Sequence, residues 1–239
     1  VLGLNVQDTA PIETDISRLA SLHALGVRQM ILAYNIRKYV ADGCAESADA
    51  GLSNFGRRVV REMNRLGILV DCSHTGRRSS LEAIEISERP TIFSHSGVYA
   101  LCRHIRNLTD DQIRPCAAKG GVIGIVGNGS CLGDAQARPE TMFRHIDYVV
   151  NLVGPEHVAI GTDYLKDKPA KNNPAASAAV RARMASKKTA WLDLSIVWPD
   201  PTGTQIPLAE SGTLQPEQLV DLVALMRRDG YPIHVIHPI

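Results

Sequence analysis

GLSNFGRRVVREMNRLGILVDCSH, residues 51–74, decides the fold. Its first part, Ser53–Leu66, places Phe55, Val59, Val60 and Met63 at helical spacing, with Asn54 as a candidate cap and Gly67 where a C-terminal cap belongs. The run that follows, Ile68–Cys72, is apolar and too short for a helix, and the polar residues Asp71 and His74 come at its end. Such a unit predicts a strand of a helix-covered parallel sheet, with functional groups gathered at the carboxyl ends of the strands.

The unit repeats in both directions. Candidate strands are Val1–Gln7, Gln29–Tyr34, Ile68–Cys72, Thr91–Ser94, Val122–Val126 and Val158–Asp163. Amphipathic stretches at Asp15–Leu25, Ser79–Ser87, Asp110–Lys119 and Glu140–Val153 separate them, and Gly26, Gly120 and Gly154 stand at helix ends. Right-handed crossovers between such strands predict an α/β fold of the (β/α)8, TIM-like barrel class. About strands 3 to 8 of such a barrel are present, and the abrupt apolar start predicts that two strands lie before Val1. Residues 1–239 thus read as one barrel domain, truncated at its N-terminus, with 164–213 as an irregular insertion or divergent segment. Further expectations are a short helix at Ala175–Met184, a turn cluster at Trp198–Gly203 and a helix at Leu214–Arg228. The apolar tail IHVIHPI reads as a strand or an artificial end.

Composition narrows the function classes. The 239 residues are 44% hydrophobic, enough for a sizeable core, and Lys+Arg 26 against Asp+Glu 25 leaves no basic surplus for nucleic acid. Aromatic content of 5% offers few stacking residues for single strands. No apolar run reaches the ~18–20 residues of a membrane span, and the opening lacks a signal-peptide layout. Five cysteines, an odd number without a CxxC pair, predict reduced thiols and a cytoplasmic setting.

The polar residues with chemical potential fall at strand ends. ILVDCSH ends in Asp71 and His74, TIFSHS in His95, VAIGTD in Asp163, and VLGLNVQD in Gln7 and Asp8. Two imidazoles and a carboxylate from separate strand ends form the donor set of a divalent metal such as Zn²⁺. Each also has a plainer reading. A strand-end histidine is commonly a hydrogen-bonded structural residue, and Asp163 after Gly-Thr can be a turn residue. Asp71 reads either as a helix cap or as a group that orients an imidazole. His23, His104, His145 and His157 fall in helical or loop patterns and are expected to be solvated, while His234 and His237 form no metal motif.

From Gly26 to Asn128 the chain resembles the membrane dipeptidase (renal dipeptidase, peptidase M19) family of the amidohydrolase superfamily. The resemblance rests on GVR at 26–28, GLSNFGRRVVREMNRLGILVDCSH at 51–74, PTIFSHS at 90–96 and RNLTDD at 106–111. The segment AYNIRKYVADGCAESADAGLS is similar to the bacterial branch. The resemblance implies zinc-dependent hydrolysis of dipeptides, with His74 and His95 as ligands of a two-zinc centre. It further implies Arg106 as the clamp on the substrate carboxylate, Asp163 as the general acid/base, and a possible homodimer. Gln7 stands where the family has its bridging glutamate, and Tyr34 where it has a substrate-contacting histidine. The family's first-strand His-x-Asp pair has no counterpart upstream. These departures keep open a second reading: a catalytically reduced barrel, with one metal or none, acting as a binding or structural module. An alternative amidohydrolase chemistry, such as deamination, shares the metal logic but not the GLSNFG and RNLTDD segments.

Overall fold

Six short strands, the first five each followed by a helix or helical turn, lie parallel and in sequential order in a single sheet: β1 (Leu4–Val6), β2 (Val27–Ile31), β3 (Leu69–Asp71), β4 (Thr91–Ser96), β5 (Val122–Val126) and β6 (Val158–Gly161). The computed structural model describes residues 3–164, Ile206 and residues 211–232. The helices are α1 (Arg18–Ala24), α2 (Asn54–Leu66), α3 (Arg77–Ile86), α4 (Asp110–Ala118), α5 (Gly129–Leu132), α6 (Pro139–Val153) and α7 (Leu219–Arg228). This sequential parallel order is that of a β/α-barrel wall. The expected helix at Ala175–Met184, the turn at Trp198–Gly203 and the tail IHVIHPI lie outside the described residues.

Alternation along the strands separates core from chemistry. Met30, Val70, Phe93, Ile123 and Ile125 point toward the helices and are fully buried, each worth roughly 1.5–3 kcal/mol of transfer free energy. On the opposite face Leu69, Ile92 and Val122 are only half-buried, and the same face carries Gln29, Asp71 and Ser94 toward the strand ends. Ser53, not Asn54, caps helix α2: Ser53 is extended and its hydroxyl accepts from the Gly56 amide at 2.9 Å. Gly67, in the left-handed region at φ 74°, turns the chain from α2 into β3.

The loop between β2 and α2 is stitched to the loop between β3 and α3. The Asp42 carboxylate accepts from Arg37 and the Ala50 amide, while the Asp42 carbonyl accepts from Gly76 N. Asp49 caps α3 from outside its own segment, accepting from Arg78 N at 2.6 Å and from Ser79 N and Oγ. Cys44 N donates to the His74 carbonyl at 2.8 Å, and Glu82 reaches back to Leu52 N and Arg57.

Two glycines let β4 sit close to its neighbours. A Cβ at Gly124 would stand 2.0 Å from the Ser94 carbonyl oxygen, and one at Gly161 would stand 1.9 Å from the same atom. The backbone carrying His95 is therefore wedged against β5 and β6. Two expected surface histidines are also part of the core: His104 and His145 are 2% and 1% exposed. The helical pattern showed where His145 would sit but not that Val98 N, at 3.0 Å, would donate to its Nδ1 while its Nε2 meets the Leu132 carbonyl. His104 Nδ1 accepts from Arg106 N at 3.2 Å, which fixes the turn that presents Arg106.

Two consequences can be measured. Gly161→Ala should lower stability by about 1–3 kcal/mol in urea unfolding, because an overpacked Cβ must displace the Ser94 carbonyl; an unchanged midpoint would contradict that close approach. Burial pushes the His145 imidazole down to about 4. Its folded-state value then lies below the unfolded ~6.5, so the unfolded chain takes up the proton first as pH falls. Stability is complete above about 6.5 and declines toward pH 4 by about 3 kcal/mol from this residue, so His145→Gln should flatten the slope in that window. Equal slopes for the two proteins would refute the assignment.

Candidate functional site

His74 and His95 come from adjacent strand ends and meet. Because β3 stops at Asp71, the chain turns at once, and His74 takes a left-handed backbone with φ 62°. β4 runs two residues past its expected end, so His95 lies within the strand. The two Nε2 atoms stand 2.9 Å apart, with ring centroids separated by 4.9 Å. Asn35, itself at φ 59°, places its Oδ1 2.6 Å from His74 Nδ1 and also accepts from the Cys44 thiol at 3.3 Å. An amide oxygen only accepts, so His74 carries its proton on Nδ1.

Burial, then the Arg106 charge, push both imidazoles below the ordinary histidine range, so both are neutral at neutral pH. Two neutral rings aimed at each other through Nε2 match the nitrogen corner of a metal site: at a Zn–N distance of about 2.0–2.1 Å, tetrahedral geometry sets such nitrogens roughly 3.3 Å apart. The residues present therefore fit a divalent ion with two nitrogen donors. No cluster of three or more His, Cys, Asp or Glu side chains surrounds that point among the described residues.

Arg106 is buried and forms no ion pair among the described residues. Its Nη2 donates to the His95 carbonyl at 3.0 Å, and its Nε is left without a partner. A buried guanidinium with an unused donor is a seat for an anion. Beside His74 lies a pocket of about 330 Å³ lined by Arg106, Tyr99, Ile105, Thr109 and Cys44 among others. A larger hollow of about 520 Å³ lies against α6, away from both imidazoles.

The remaining expected residues divide. Tyr34 stacks on His74 with centroids 3.9 Å apart. Asp163 follows β6 at φ 52°, exposed, and its charge acts on His95 and Tyr34. Asp71 is fully buried and caps no helix; it accepts from Gln29 Nε2 at 2.8 Å, Ser73 N at 2.9 Å and the amide and hydroxyl of Ser94. Gln7 lies just past β1, exposed, and makes no hydrogen bond to either imidazole among the described residues. Sequence reasoning missed Asn35 and Ser94. Each adjoins a residue already singled out, Tyr34 or His95, at a strand end, which was the available signal. All five cysteines are free, and burial pushes Cys44 up to about 12, so it remains a thiol.

The family profile of the membrane dipeptidases (peptidase family M19) matches residues 2–186. An uncharacterized dipeptidase of Schizosaccharomyces pombe is 32% identical over 170 residues, covering 68% of this chain and 41% of that protein. A dipeptidase of Aspergillus oryzae is 34% identical over 166 residues, covering 67% and 39% respectively. The crystal structure of an amidohydrolase from Pseudomonas aeruginosa superposes with a TM-score of 0.66 at 35% identity, over 68% of this chain and 50% of that one. The chain thus spans about two fifths of the length of the curated relatives it matches. With the profile covering most of the sequence, and with the imidazole pair and buried guanidinium in place, the chain belongs to the membrane dipeptidase family, peptidase family M19.

Proposed function

We propose that this chain forms the imidazole-bearing wall of a metallodipeptidase, holding one zinc ion between His74 and His95 and a dipeptide's free carboxylate on Arg106. The observation that carries the reading is the 2.9 Å approach of two neutral Nε2 atoms. The names of the relatives, both dipeptidases, support the substrate class.

When bound, a divalent ion supplies a Lewis acid that polarises the scissile carbonyl and makes water a nucleophile at neutral pH. His74 and His95 present Nε2 to it. Arg106 holds the end of the substrate that does not react, fixing the peptide bond beside the imidazoles. Asp163, close enough for its charge to act on His95, takes the proton of the attacking water and returns it to the leaving amine. Tyr34 packs flat on His74 and restricts the ring's rotation. Five free thiols support a reducing, cytoplasm-like compartment, and no helix among the described residues is long and apolar enough to cross a membrane.

Metal analysis of the purified chain should find about one zinc per chain, and His95→Ala should lose it. Retained zinc in that variant would remove His95 from the site. With a dipeptide substrate, Arg106→Ala should raise KM by about tenfold or more with a smaller change in kcat, since it removes binding to a non-reacting group; an unchanged KM would argue against the clamp. In the metal-free chain the same substitution should raise the titration midpoints of His74 and His95, read by NMR. The exposed position of Gln7 and the two-imidazole donor set favour a second reading, a binding module without turnover. Absence of both zinc and hydrolysis would select it.

A further inference from the structure

We infer that Ser94 is a positioning residue for the imidazole pair: its hydroxyl links the buried Asp71 carboxylate to His95 Nδ1 and so directs the His95 Nε2 lone pair toward His74. The inference deepens the metal-site reading and rests on it for its consequence, although the proton arrangement itself can be observed without metal.

The direction of each hydrogen bond follows from counting protons. Asp71 is surrounded by donors: Gln29 Nε2, Ser73 N, Ser94 N and, at 2.5 Å, Ser94 Oγ. An ionised carboxylate only accepts, so the single Ser94 hydroxyl proton points to Asp71. Ser94 Oγ also lies 2.8 Å from His95 Nδ1 and must there accept. His95 therefore carries its ring proton on Nδ1 and leaves Nε2 bare. Ser73 completes the arrangement: its Oγ accepts from His95 N at 3.1 Å and stands 3.3 Å from Ser94 Oγ, where it donates.

His74 reaches the same tautomer by a different device, the Asn35 amide oxygen. The His95 device spans two strands, with the carboxylate on β3 and the imidazole on β4. A hydroxyl can accept from the ring and donate to the carboxylate through a single oxygen. The Ser94 carbonyl, pressed against Gly124 and Gly161, holds the serine backbone in place while its side chain makes both bonds. The arrangement is a metal ligand's supporting shell with an interposed hydroxyl.

The test uses the full chain, 15N-labelled at histidine and free of metal. Long-range 1H–15N correlation at neutral pH should show His95 as the Nδ1–H tautomer. Ser94→Ala should lose that single tautomer, and Ser94→Thr, which keeps the hydroxyl, should retain it. Zinc affinity by chelator competition should fall about 10- to 100-fold in Ser94→Ala and recover in Ser94→Thr. A role in packing alone would lower thermal stability without moving the tautomer. The Nε2–H tautomer in the unsubstituted chain, or unchanged tautomer and affinity in Ser94→Ala, would overturn the inference. Should Ser94→Ala not fold, the unsubstituted chain and Ser94→Thr decide it. The predicted tautomer together with no zinc binding would uphold the relay and refute the metal reading instead.

Discussion

Two ring nitrogens that both lack a proton repel when held 2.9 Å apart. Burial and the Arg106 charge disfavour protonating either ring, and under the proposed reading a shared cation would relieve the contact. Much of the surrounding structure sustains that approach. Asn35, His74 and Asp163 are all non-glycine residues in the left-handed region, a conformation that costs of order 1–3 kcal/mol each and persists only where neighbours over-determine it. These three follow β2, β3 and β6, while Glu13 and Ala137 share the conformation away from the imidazoles.

The buried guanidinium imposes a second constraint. Arg106 depresses both imidazoles and occupies a low-exposure position without a carboxylate of its own among the described residues. An anion arriving beside it would satisfy the unused donor and weaken the repulsion that Arg106 exerts on protonated imidazole. In the proposed site, an anion on Arg106 and a cation on the imidazoles would be linked through that one charge.

The strands and most helices were legible because burial writes itself into composition: five outward strand residues at period two and four apolar positions on α2 suffice. Strand ends were less so. β4 extended past Ser94 because Ser96 pairs with Ile125 across an irregular register, a long-range fact with no local signature. His74, His95, Arg106, Tyr34 and Asp71 were legible from strand-end placement and family resemblance, and they converge. Gln7 was placed by counting residues along the chain, and it is exposed beyond β1. Asn35 and Ser94 escaped notice because single-residue polarity says nothing about which atom donates. His104 and His145 were misread as solvated because a buried, hydrogen-bonded imidazole has the same sequence appearance as an exposed one.

The crosslinks between the β2–α2 and β3–α3 loops carry one more implication. Asp42, Asp49, Cys44 and Glu82 bind residues 35–57 to residues 74–82 through backbone amides at both ends. Asn35, Tyr34 and His74 therefore ride on a single mechanical block, and that side of the cleft cannot yield by swinging one loop alone. The facing bank, Tyr99–Thr109, exposes Tyr99 at the pocket's margin and is itself tied by Tyr99 N to the Leu108 carbonyl and by Leu108 N to the Gly97 carbonyl. Both banks of the cleft are thus braced by backbone hydrogen bonds.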